Sequence, residues 1–123
     1  LYNHFKDTGR TPDYYDIIAT GDLGKVGKKM TLEMLKEYGY DLSKNYVDCG
    51  DIIFDNETQN TCSGGSGCGC SAVVMCGYFY KRLMKKEIKK LLLISTGALM
   101  SPTSTLQGES IPGIAHAVAI EYE

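Results

Sequence analysis

Residues 61–72 read TCSGGSGCGCSA. Four small residues, Ser63 to Ser66, lead into Gly67, Cys68, Gly69 and Cys70, and an apolar run begins at Ala72. Glycine has no side chain and tolerates positive φ, so a loop of this composition lets backbone N–H groups approach another surface closely. A glycine-rich loop that feeds a helix N-terminus suits an anion or a carbonyl oxygen, because the first amides of the helix lack internal partners. The loop lacks the Lys-Ser/Thr ending of a P-loop and has no dinucleotide-binding spacing.

The rest of the chain divides around this loop. Tyr15 to Thr20 (YDIIAT) reads as a short buried strand. Gly21-Asp22 then opens a helix on which Leu23, Val26, Met30 and Met34, with Leu35 and Tyr38, fall close to one face. Asp22 suits its N-cap, and Gly39 its C-terminal stop. Asn45 to Cys49 reads as extended, and Asp51 to Phe54 (DIIF) as a brief strand. Cys70 to Lys86 reads as a helix. Its first half, with Ala72, Val73, Val74, Met75, Cys76, Tyr78 and Phe79, shows no polar face. Such a helix is expected to be buried all round, against a second domain or a second subunit.

Lys90 to Thr96 (KLLLIST) reads as a central, parallel, buried strand. Gly97 to Pro112 is a polar connection, and Gly113 to Tyr122 a closing strand. In that strand Ile114, His116, Val118 and Ile120 face one way, and Ala115, Ala117 and Ala119 the other. The order strand, helix, strand, helix, strand, strand predicts an α/β layered architecture with a mixed sheet and an antiparallel final pair.

Composition narrows the function classes. The chain has 123 residues, about one domain, with net charge −2, which gives no support to nucleic-acid binding. The basic run at 81–90 (KRLMKKEIKK) is explained as a solvated helix end followed by a strand entry. The apolar runs are far shorter than the roughly 20 residues of a membrane span. The five cysteines, Cys49, Cys62, Cys68, Cys70 and Cys76, are odd in number and form a poor disulfide framework. Their C-x5-C-x-C-x5-C spacing is not that of common zinc sites. Packing residues and reduced thiols are the expectation, with no metal and no cofactor. The opening LYNHFKDTG and the closing EYE suggest a piece of a longer protein.

The segments DIIATGDLG, SGGSGCGCSA, LLLISTGAL and GIAHAVAIE recur in the order found in the C-terminal half of the thiolase-like superfamily, which the chain resembles. The longer strings HFKDTGRTPDYYDIIATGDLGKVG, GYDLSKNYVDCG, SGGSGCGCSAVV and TGALMSPTSTLQGESIPGIAHAV are similar to those of the stage V sporulation protein AD family of spore-forming bacteria, over nearly the whole chain. The resemblance implies a two-half thiolase-like protein of which this is the second half. It implies dipicolinic acid as ligand for uptake into the developing spore. It also implies partner proteins encoded alongside, some membrane-embedded, and a position at the periphery of the inner spore membrane.

Thiolase-like enzymes place a His on the glycine-rich turn and a second His, Asn or Cys nearby, as general base or oxyanion donor. Here the turn has no His. Thr20-Gly21-Asp22 and Ile111-Pro112-Gly113 stand where the family carries other catalytic groups. The histidines are His4 and His116. His116, at the start of the closing strand, is either a core residue or a contact for a carboxylate when protonated. The resemblance with these groups lost points to binding rather than catalysis. The candidate ligand contacts are Ser63, Gly64, Gly65, Ser66 and Gly67, with Ser101, Thr103 and His116. Hydroxyls of Ser104 and side chains of Gln107, Glu109 and Ser110 lie on the same long connection. The alternatives are an acyl-transfer half or a structural subunit that binds no ligand. The glycine loop itself has a second reading, as close backbone packing with no ligand contact.

Overall fold

The computed structural model describes residues 1–95, 97, 101–111 and 113–122. Thr96, read as the last residue of its strand, and Pro112, in the turn before the closing strand, lie outside the described residues.

β1 (Ile17–Thr20) is buried at every position. Its β-branched residues suit a strand packed on both faces. β1 pairs in parallel with β2 (Tyr46–Asp48) on one side and with β3 (Lys90–Ile94) on the other. β4 (Ala117–Glu121) runs antiparallel to β3, with Leu91 opposite Ile120 and Ile94 opposite Ala117. The sheet order is therefore β2-β1-β3-β4. This is the mixed α/β layer expected from the order of elements.

Side-chain alternation divides the core between the two faces of this sheet. On one face Ile18, Tyr46, Leu92, Ile94 and Ala117 meet Phe5, Leu35 and Leu42. Phe5 belongs to α1 (Tyr2–Thr8), which ends at Gly9 in the left-handed conformation, and Leu35 to α2 (Gly24–Glu37). On the other face Ile17, Ala19, Leu91 and Ile120 meet Val74, Phe79 and Leu83. Ala117 and Ile120 thus fall on opposite faces, as the alternation of the closing strand predicts, although the strand begins later than Gly113.

A helix does follow the glycine-rich loop, in three parts. α4 (Cys70–Val74) passes into a π-helical turn (Met75–Phe79) and then into α5 (Tyr80–Met84). Only one side of this 70–84 helix is covered within the chain. Val74, Phe79 and Leu83 are buried, while Val73, Tyr78 and Tyr80 are about half exposed or more. A four-stranded sheet has one surface to offer a helix, so the all-round burial expected from composition is not reached inside this chain.

One expectation is corrected, and two elements show what the residue pattern leaves open. Asp51 to Phe54 is not a strand. Cys49–Ile52 forms a short helix, α3, because the Asp48 side chain accepts the Asp51 amide and turns the chain at the end of β2. The apolar stripe of α2 does not face the core, since Leu23, Val26, Met30, Met34 and Tyr38 are between 47% and 61% exposed and only Leu35 of the set is buried. The helix instead rests on the sheet through Leu35 and Leu32. The long connection after β3 carries α6 (Pro102–Leu106), capped by the Ser101 side chain.

Candidate functional site

The chain leaves β1 through α2 on one sheet face to reach β2, and leaves β2 through the 70–84 helix on the other face to reach β3. The loops at the carboxyl ends of β1 and β3 therefore diverge and leave a crevice between them. Open α/β sheets place ligands at such a switch point. A pocket of about 320 Å³ occupies it, lined by Thr20, Gly21, Asp22, Leu23, Ile94, Ser95, Gly97 and Ala115.

Beneath the crevice lies a polar centre built on Asp48, which is 0% exposed. Its Oδ2 accepts from the Thr20 hydroxyl at 2.6 Å and the Leu23 amide at 3.0 Å. Its Oδ1 accepts from the Gly24 amide at 2.8 Å and the Asp51 amide at 3.2 Å. Thr20 spends its proton on Asp48, so the Tyr46 hydroxyl, 2.8 Å away, donates to Thr20. Burial pushes the Tyr46 phenol above its usual range. One carboxylate thus caps the first turns of two helices, α2 and α3, and anchors the end of β1. Charge-assisted bonds of this kind are about twice as strong as neutral ones.

Asp48, and not Asp22, caps α2. Asp22 stands one residue before the Leu23 cap position, and its carboxylate turns to the glycine-rich loop. Its Oδ2 accepts from the Gly67 amide at 3.0 Å and the Ser66 hydroxyl at 3.4 Å. The loop is held by further backbone contacts. The Gly65 amide donates to the Gly50 carbonyl at 2.6 Å, the Gly64 amide to Thr61 at 2.9 Å, and the Lys25 amide to the Ser63 carbonyl at 2.8 Å. Gly24, Gly50 and Gly64 are needed here because a Cβ on any of them would overlap a backbone oxygen of the facing segment. Gly64 and Gly67 also have φ of 107° and 114°.

The glycine-rich stretch is therefore brought to the crevice rim, and three of its four amides from Gly64 to Gly67 serve to fix it there. Ser63 and Ser66 are exposed on it. His116 is exposed and follows Ala115, which lines the crevice wall. Ser101 and Thr103 are placed elsewhere. Ser101 accepts the Ser104 amide at the start of α6 and lines a separate hollow with Pro102, Thr105 and Leu106. His4 faces away from the crevice, with its Nε2 2.7 Å from the Tyr15 hydroxyl. Burial lowers the His4 pKa, assisted by the nearby amino terminus and Arg10.

All five cysteines are free thiols. Cys49 and Cys70 are buried in the core beside the Asp48 centre. Burial, then the neighbouring Asp48 charge, pushes the Cys49 thiol from 9.0 up to about 12, and burial also raises Cys70. A thiol held protonated is a poor nucleophile. In native protein a thiol-specific reagent is expected to label Cys62, Cys68 and Cys76 quickly and Cys49 only on unfolding, as peptide mapping by mass spectrometry would show. Rapid labelling of Cys49 would contradict the buried placement. The linkage has a definite sign. The unfolded thiol loses its proton near pH 9 and the native one near 12, so Cys49 contributes nothing adverse below pH 9 and destabilises the fold as pH rises through that window.

Among the described residues no group of three or more His, Cys, Asp or Glu is placed to hold a metal ion, and no helix is long and apolar enough to cross a membrane. The family model described as stage V sporulation protein AD matches residues 1–121. The stage V sporulation protein AD of Bacillus subtilis (strain 168) is 46% identical over 121 residues, which is 98% of this chain and 36% of that protein. The chain thus spans little more than a third of the length of the curated relative it matches. On both matches, the chain belongs to the stage V sporulation protein AD family.

Proposed function

We propose that this chain is the second, ligand-binding half of a non-catalytic thiolase-like sporulation protein whose ligand is dipicolinic acid. The observation that carries the reading is the crevice at the switch point between β1 and β3, with the glycine-rich loop fixed at its rim. Its lining joins apolar walls, Leu23, Ile94 and Ala115, to the small polar groups of Thr20, Ser95 and the glycines. A flat ring needs the first, and carboxylate oxygens need the second. Ser66 and His116 are the rim residues best placed to add contacts.

Asp22 is an ionisable side chain of the lining, and it accepts from Gly67 and Ser66. In this reading a dianion draws its cationic donors from the remainder of the longer protein. The non-catalytic part of the reading rests on the glycine-rich turn, which carries no His, and on the buried thiols of Cys49 and Cys70, which are held protonated. In this reading the protein works with the co-encoded proteins of the spore transport system, beside the inner spore membrane, in taking dipicolinic acid into the spore.

Calorimetric titration of the full-length protein with dipicolinate tests the proposal. Saturable binding without thioester turnover is expected. Absence of heat and of saturation at near-neutral pH and moderate salt would sink it, and turnover of an acyl thioester would replace it with the acyl-transfer reading.

A further inference from the structure

Two carboxylates stand at the crevice, and they differ in what they hold. Asp48, beneath it, caps α2 and α3 and accepts from Thr20. Asp22 lies in the lining itself. With α2 capped by Asp48, the helix makes no demand on Asp22. The glycine-rich loop does not rest on Asp22 alone either. Backbone bonds tie the loop at three points, from Gly64 to Thr61, from Gly65 to Gly50 and from Lys25 to Ser63. An added Cβ at Gly64 would meet the Gly50 carbonyl, and one at Gly65 would meet Ile53 and Phe54. Nothing lies within 4 Å of a Cβ added at Gly67. The first half of the loop is thus pressed against its neighbours and the second half is not.

Asp22 acts on that second half. Its Oδ2 accepts from the Gly67 amide at 3.0 Å and from the Ser66 hydroxyl at 3.4 Å. An amide and a hydroxyl converging on one carboxylate oxygen is also what a carboxylate ligand requires. A carboxylate of the protein therefore occupies donors that a carboxylate ligand at the crevice rim would use. The two compete. The Gly67 amide has one proton to give, and two negative charges brought together in a crevice repel each other.

We infer that Asp22 is a placeholder for the ligand. It holds the Gly67 amide and the Ser66 hydroxyl while the crevice is empty, yields them when a carboxylate enters, and retakes them on release. The inference rests on the carboxylate-binding reading of the crevice given above. Its consequence is an affinity set by competition: entry of a dianion breaks the Asp22 contacts and brings like charges together, and the return of Asp22 favours release. That suits a protein that passes its ligand on. It also makes Asp22 a determinant of specificity, because a ligand without negative charge meets no repulsion from it.

Calorimetric titration of full-length Asp22→Asn with dipicolinate, beside the parent, tests the inference. Asparagine keeps an oxygen for the Gly67 amide and removes the charge. The variant should bind dipicolinate about tenfold or more tightly than the parent. The uncharged isostere pyridine-2,6-dicarboxamide should bind the variant no better than the parent. Asp22→Ala, which releases both donors, should also tighten dipicolinate binding. Without ligand, its 62–70 segment should exchange amide hydrogens faster than the parent's, and dipicolinate should slow that exchange again. Equal or weaker dipicolinate binding by both variants would overturn the inference and leave Asp22 a strut of the loop. A gain shared by the dicarboxamide would overturn it as well, since it would report a loosened crevice rather than relief of charge. The two readings fail separately. Binding by the parent with no gain in the variants sinks the placeholder alone. Binding by the variants where the parent shows none supports the placeholder and sinks the proposed function, and no binding by any of them sinks both.

Discussion

Replacing Asp48 by Ala should destabilise the protein by about 3–5 kcal/mol, a large fraction of the stability of an ordinary domain. The loss has two parts. Two helix N-termini lose the same cap, at about 1 kcal/mol each, as the Leu23, Gly24 and Asp51 amides come to face a cavity in place of a carboxylate. The buried Thr20 hydroxyl loses its acceptor, at about 1–3 kcal/mol. Asp48→Asn should recover little of this. A carboxamide offers one acceptor oxygen, and its NH2 would point at two of the four donors that now converge on the carboxylate. Urea denaturation followed by circular dichroism gives the comparison. A change in Asp48→Ala below about 1 kcal/mol would show that the buried centre is not what joins β1, α2 and α3.

The second large effect is expected in the glycine-rich loop. Gly64→Ala should cost about 2–6 kcal/mol, because two penalties add. A side chain at φ 107° is strained, and its Cβ would overlap the Gly50 carbonyl. The loop would have to lift from α3, taking with it the Gly65-to-Gly50 bond and the hold of Gly67 on Asp22. Ligand binding should weaken together with stability. Gly69→Ala is the contrast. Gly69 has φ −85°, and nothing lies within 4 Å of an added Cβ, so that variant should be neutral or slightly stabilising. Equal effects of the two substitutions, read from the same denaturation curves and from dipicolinate titration, would refute the close-packing account of the loop.

These two sites differ in how far they can be read from residues alone. The glycine loop announces itself, because a run of small residues before an apolar helix has few other uses. Its composition does not say what the loop approaches. The structure answers with backbone: Gly50 on α3 and the first turn of α2, with Asp22 as the side-chain partner. Asp48 gives no such signal. It is one Asp in YVDCG, and nothing local distinguishes it from a surface residue. Its role arises because β1 and β2 run parallel and in register, Thr20 beside Asp48, which brings one carboxylate to the start of two helices. The N-cap role expected of Asp22 fails for the matching reason. Helix caps are normally supplied locally, and here the cap comes from 24 residues further along the chain, while Asp22 accepts from the loop.

The stripe on α2 is a third case. Apolar residues at helical spacing establish that a helix forms and that it has an apolar face. They do not establish that the face meets this chain's own sheet. Leu23, Val26, Met30, Met34 and Tyr38 remain outward, and Leu35 alone of that set reaches the core.

The amino-acid sequence by itself determined the elements that local chemistry controls: the β-branched and leucine-rich strands, the helix after the glycine loop, the alternation of the closing strand, and the family. Each follows from interactions within a few residues, or from strings long enough to be distinctive. Tertiary structure alone decided the buried Asp48 centre, the company kept by Asp22, the outward face of α2 and the side of the 70–84 helix that is covered. Those depend on which segments distant in the chain become neighbours, and hydrogen bonds and burial between such segments follow the sheet order rather than any local pattern.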